Sequence, residues 1–211
     1  MIDLEPATTA LSALLDGVRD EQLSAPTPCA GRSLGDLLDH VDGLSLAFTA
    51  AATKTPIDGA PSADASRLGE DWRTRIPGRL AALASAWGDE AAWAGMTRAG
   101  GVDLPAAVAG VVALNEVVVH GWDIAVSSGQ RFTCEPSLLE AAYGFVQSTV
   151  AQHPHGSPGL FGPPVPVADS LVQNCRGWSA GGDPRTWEPG PASAAAWTAR
   201  SACGRGRRRG P

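Results

Sequence analysis

The sequence predicts an all-α protein, an up-down four-helix bundle with an additional helix and a Pro-rich C-terminal strap. Three observations predict it. Apolar residues recur at three- and four-residue intervals through most of the first 150 positions. No segment shows convincing apolar/polar alternation of the kind a half-buried strand needs. One stretch, Ala107 to Ser128 (AVAGVVALNEVVVHGWDIAVSS), is long and almost wholly small or aliphatic, as a central helix would be.

The elements follow in order. Leu11, Leu14, Leu15 and Val18 place a first helix over about 5–23, stopped by Pro26 and Pro28. Ser33 with Asp36 three positions later is an N-cap pattern, and it opens a second helix over about 34–53. Leu34, Leu37, Leu38, Val41, Leu44 and Phe48 form its apolar face, with His40 at the edge of that face. Thr55 to Ala65 is rich in Pro, Gly, Ser and Asp and reads as a loop. A third helix covers about 66–89, with a bend near Pro77. A short link containing Trp93 and Met96 ends in Gly100 and Gly101. Pro105 suits the first turn of a fourth helix over about 104–128, closed by Gly129. A fifth runs from Pro136 to about Gln152. From Gly156 to Ser170 the chain is Pro-rich and reads as an extended strap, and residues 189–211 read as a disordered basic tail on a domain spanning 1–188.

Composition narrows the function classes. The 211 residues are 44% apolar, enough for a full core, with net charge −6. Five arginines (Arg200, Arg205, Arg207, Arg208, Arg209) crowd the last twelve positions, so the body is more acidic than the total suggests. An acidic body argues against nucleic acid as the main partner. No apolar run reaches membrane-spanning length, and the N-terminus is no signal peptide. Cys29, Cys134, Cys175 and Cys203 have no C-x-x-C spacing, so neither a zinc cluster nor a disulfide framework is expected. A cytoplasmic protein with reduced thiols is expected.

Chemistry concentrates in the fourth helix. Glu116, His120 and Asp123 are four and three residues apart, so they share one helix face. Buried charges there need pairing or a metal. The spacing of Glu116 and His120 suits either a simple hydrogen bond or two ligands of one ion. His40 is either a core histidine bonded to a carbonyl or a third ligand reaching across the bundle, and bundle cores do build such sites. Asp123 could orient a ligand, act as a base, or simply pair near the helix end. Cys29 near a helix start invites a nucleophile reading, but packing is the expected role. His153 and His155 read as a surface pair. Trp122 and Tyr143 could line a pocket, with packing the default.

Several motifs together resemble the DinB-like superfamily, and more closely the actinobacterial metal-binding proteins related to the metal-binding domain of mycothiol-dependent maleylpyruvate isomerase. They are Thr27-Pro28-Cys29 ahead of His40; Glu116-x-x-x-His120-Gly121-Trp122-Asp123; Phe161-Gly162-Pro163-Pro164-Val165-Pro166; and Asp183-Pro184-Arg185 with Trp187. The resemblance covers roughly residues 5–188. It implies a bundle holding a divalent ion, zinc or nickel, with His40, Glu116 and His120 as ligands. It also implies mycothiol or a similar thiol, with a small electrophile, as the reacting partners. Asp123 is the expected catalytic residue. Two departures stand out. Arg32 occupies a place the family usually gives to Trp, a packing position. The isomerase's additional C-terminal domain has no counterpart here, so maleylpyruvate isomerisation itself is not expected. The competing expectation is a non-catalytic metal- or ligand-binding bundle. The sequence leaves the substrate and oligomeric state open.

Overall fold

The computed structural model describes residues 1–29, 31–55, 57 and 63–155. The Pro-rich strap and the basic tail lie outside the described residues. Five helices form the body: α1 (Glu5–Asp16), α2 (Leu34–Ala52), α3 (Trp72–Trp87), α4 (Ala106–Ser128) and α5 (Pro136–Gln152). A two-stranded hairpin, β1 (Met96–Ala99) and β2 (Val102–Pro105), precedes α4. Helices α1 and α2 each lie against both α3 and α4, and α5 packs on α4. The fold is therefore an all-α bundle, and no central sheet is present among the described residues.

Local rules account for most boundaries. The Ser33 hydroxyl accepts from the Asp36 N–H at 3.2 Å, and the Asp36 carboxylate accepts from the Ser33 N–H at 2.9 Å. This reciprocal cap satisfies two amides that the first turn of α2 leaves unpaired. Its apolar face enters the core as expected, with Leu34, Leu37, Leu38 and Val41 fully buried.

Three expectations need correction. Helix α1 stops at Asp16, not at residue 23, and a short 3-10 turn follows at Asp20–Gln22. Gly17 is the C-cap, its N–H closing on the Leu14 and Leu15 carbonyls, and the Gln130 side chain donates to the Leu14 carbonyl at 2.9 Å from across the chain. Helix α3 begins at Trp72, not near 66. A separate 3-10 turn covers Ala65–Arg67, set by the Asp64 carboxylate accepting from the Ser66 N–H, and Gly69 then turns left-handed at φ +70°.

The third correction is the hairpin, which stands where the sequence predicts only a short link. Gly100 and Gly101 both have positive φ, +58° and +81°. This is the backbone a two-residue hairpin turn requires and glycine supplies without strain. Strands of four residues are too short to show alternation. Thr97 anchors the hairpin, its hydroxyl donating to the Ala51 carbonyl at the end of α2 at 2.6 Å.

One close approach fixes the hairpin end of α4. Trp87 is fully buried, donates to the Phe48 carbonyl at 3.2 Å, and meets Trp93 edge-to-face at 5.1 Å. A Cβ on Gly110 would lie 2.5 Å from the Trp93 ring. Only glycine lets both indoles rest on this helix.

Helix α4 is long and apolar enough to cross a membrane by length and composition, yet most of it is buried inside the bundle. That burial sets the energetics of the polar groups it carries.

Candidate metal centre

The structure brings His40, Glu116 and His120 together. One ligand atom from each lies within 4.8 Å of the others, and all three residues are buried. Glu116 and His120 come from α4, and His40 reaches them from α2. Two different helices therefore build the cluster, and the α2–α4 packing decides its geometry.

His120 is the centre of a hydrogen-bonded line. Its Nε2 lies 3.1 Å from Glu116 Oε2 and its Nδ1 lies 3.1 Å from Asp123 Oδ2. Helical spacing alone sets these contacts, since the three residues stand one turn apart. Burial disfavours the charged imidazole, but the bonds to Asp123 and Glu116 and their negative charge outweigh it, and the pKa rises from 6.5 to about 9. In the metal-free protein His120 is thus an imidazolium, donating from both nitrogens. Burial also works against the Glu116 carboxylate, but the imidazolium bond wins and holds its pKa below the ordinary value. For Asp123 burial prevails, and its pKa is raised despite the same partner.

His40 is held differently. Its Nε2 lies 4.0 Å from Glu116 Oε2, and its ring meets that of His120 edge-to-face at 5.1 Å. Neither ring nitrogen has a hydrogen-bond partner among the described residues. Burial and the like charge of His120 push its pKa down to about 4 from 6.5. The lowered pKa favours the neutral imidazole, whose two nitrogens lack a hydrogen-bond partner among the described residues.

These features test the fit of a cation. Two imidazoles and one carboxylate are a donor set that suits zinc or a similar divalent ion. An orphaned buried imidazole is costly by itself, and a cation at the shared point would satisfy it. The residues fit a divalent metal.

A pH dependence follows for the metal-free protein. A proton binds His40 less tightly in the folded state (about 4) than in the unfolded state (6.5). The folded state is therefore penalised as pH falls through that interval, and the penalty is absent above it. His120 has the opposite sign: its stabilisation is complete below 6.5 and is lost as pH rises through about 9. Thermal melting of the metal-free protein is expected to drop on acidification from 6.5 towards 4. His40→Ala is expected to flatten that limb; an unchanged slope would show that another group causes it.

The remaining sequence candidates are placed as follows. Cys29 is buried and disulfide-bonded, which corrects the expectation of reduced thiols at that position. Cys134 is a free thiol whose pKa burial raises to about 11. Trp122 is buried in the core and Tyr143 is 37% exposed. His153 and His155 are exposed beyond α5.

Sequence reasoning missed the ion pairs that tie α2 to α3 and to the 3-10 turn before it. Asp39 pairs with Arg67 at 2.8 Å, and Asp42 pairs with Arg75 at 3.0 Å and Arg79 at 2.9 Å. They tie the side of α2 away from the cluster, so His40 faces α4. The Asp36, Asp39, Asp42 spacing could have flagged a paired acidic face.

A model of the mycothiol maleylpyruvate isomerase N-terminal domain matches residues 4–125, a span that includes His40, Glu116, His120 and Asp123. Two uncharacterized proteins of Mycobacterium tuberculosis are similar, one from strain CDC 1551 / Oshkosh and one from strain ATCC 25618 / H37Rv. Each is 31% identical over 166 residues, covering 77% of this chain and 82% of the relative. No solved structure matches significantly.

Proposed function

Because the chain belongs to the mycothiol maleylpyruvate isomerase N-terminal domain family, within the DinB-like superfamily, we propose that it binds a divalent metal and acts as a thiol transferase or isomerase-like enzyme on a small electrophile. The thiol is of the mycothiol type. The observation that carries this reading is the convergence of His40, Glu116 and His120 on one buried point.

His40, Glu116 and His120 would hold the ion. Three protein ligands are the catalytic count; structural zinc sites usually close with four. A divalent ion, zinc or nickel, would supply Lewis acidity, lowering the pKa of a bound thiol into the neutral range. The protein residues supply the rest. Glu116 brings negative charge. Asp123 keeps the proton on His120 Nδ1, so Nε2 faces the shared point; it acts through His120 and is a positioning residue. The surrounding aliphatic side chains lower the local dielectric and strengthen each electrostatic contact.

The test has two stages. Metal-stripped full-length protein is equilibrated with zinc and its bound metal measured, then assayed with a low-molecular-weight thiol and small electrophiles. One equivalent of metal with metal-dependent thiol consumption supports the reading. Metal without turnover leaves a binding protein, and no metal removes the basis of the reading. Asp123→Asn is expected to lower metal affinity about 10–100-fold, the effect of losing a carboxylate behind a ligating histidine. Isothermal titration calorimetry would measure it. An unchanged affinity would mean that Asp123 does not act through His120.

A further inference from the structure

The three donors are held very unequally. Glu116, His120 and Asp123 all stand on α4, and helical spacing fixes their mutual geometry. Turning the His120 ring breaks two hydrogen bonds of 3.1 Å in a fully buried position. His40 comes from a different helix, and turning its ring breaks none, since neither nitrogen has a partner among the described residues. Its contact with His120 is edge-to-face, which orients weakly.

We propose that Glu116 and His120 form the fixed half of the metal site and that His40 is its exchangeable arm, the ligand an incoming thiol displaces. The proposal rests on the metal-binding reading above and adds which bond gives way. A carboxylate behind a ligating histidine is worth about 10–100-fold in metal affinity. His120 has that support from Asp123, and His40 has none among the described residues. Three protein ligands leave one position open; a soft monodentate donor in excess that competes for a second place on the ion takes that of His40, the least supported of the three. The exchange balances without redox change: the thiol binds as thiolate, its proton passes to the buffer, and His40 leaves as neutral imidazole.

The test uses full-length protein carrying cobalt(II), with 2-mercaptoethanol as the thiol. Cobalt reports sulfur binding through a near-ultraviolet charge-transfer band. It also shifts the NMR resonances of coordinated imidazoles. Resonances missing in His40→Ala are assigned to His40. Thiol addition is expected to raise the sulfur band as the His40 resonances disappear and those of His120 remain. His40→Ala is also expected to retain cobalt at least about 10-fold more tightly than His120→Ala. Loss of the His120 resonances, retention of both sets as the band grows, or equal affinities in the two variants would overturn the proposal. Cobalt uptake without any sulfur band would overturn it while leaving the metal site intact. Failure of the unmodified protein to bind cobalt would remove the metal reading itself.

Discussion

Replacing His120 with alanine is expected to reduce metal affinity by at least about 100-fold, more than loss of a supporting carboxylate would. His120 would be a ligand, and it is also the group that holds Glu116 and Asp123 in place. Without it, two buried carboxyl groups face one another with no cation between them. Breaking a buried pair from one side typically costs about 3–5 kcal/mol, so the metal-free variant should also melt earlier. The aliphatic stripe of α4 is untouched, and the helical circular dichroism should survive at low temperature. Glu116→Gln provides the control for folding. It removes the charged ligand at nearly constant shape, and should lose metal with a smaller loss of stability. Elemental analysis of both purified variants decides the matter. If either keeps a full equivalent of metal, the cluster is not the site.

The largest purely structural effect is expected from Trp87→Ala. This side chain is fully buried between α2, the Trp93 turn and α4, and its indole N–H satisfies the Phe48 carbonyl. Truncation leaves a cavity the size of an indole, and Gly110 has no side chain to fill it. Trp93, which stacks on Trp87 edge-to-face, loses its platform as well. Large-to-small changes of this kind cost about 3–5 kcal/mol, and a chain of this length loses roughly 10 °C or more in melting midpoint. Because Trp87 lies away from the His40–Glu116–His120 cluster in α3, metal stoichiometry below the new midpoint should be unchanged. A melting curve within two or three degrees of the parent, measured by circular dichroism, would show that the pocket collapses around the missing ring.

The legible parts of this protein are those that depend on short-range spacing. Glu116, His120 and Asp123 could be placed on one stripe because helical periodicity relates residues three and four apart whatever surrounds them. Ser33 and Asp36 marked the start of α2 for the same local reason. His40 was harder: its position at the edge of an apolar face suited a core residue as well as a ligand. The motif resemblance, not the periodicity, singled it out. The early end of α1 had one local signal, Gly17, which caps it; the supporting bond from Gln130, more than a hundred residues away, had none. The hairpin was hidden for a different reason. Four-residue strands carry too little alternation to see, and Gly100-Gly101 alone reads equally well as a plain turn.

Taken alone, the sequence determined the helical class, the apolar faces and the stripe of ionisable groups on α4, because each follows from contacts within one helix. Tertiary structure decided the rest. The packing of α2 on α4, tied on its far side by Asp39–Arg67 and Asp42–Arg75, turns His40 toward Glu116 and His120. Burial then separates two chemically identical histidines. One lies hydrogen-bonded between two carboxylates and keeps its proton; the other is buried beside the His120 charge with Glu116 only at 4.0 Å, and loses it. That difference depends on distances between helices, which no spacing along the chain encodes.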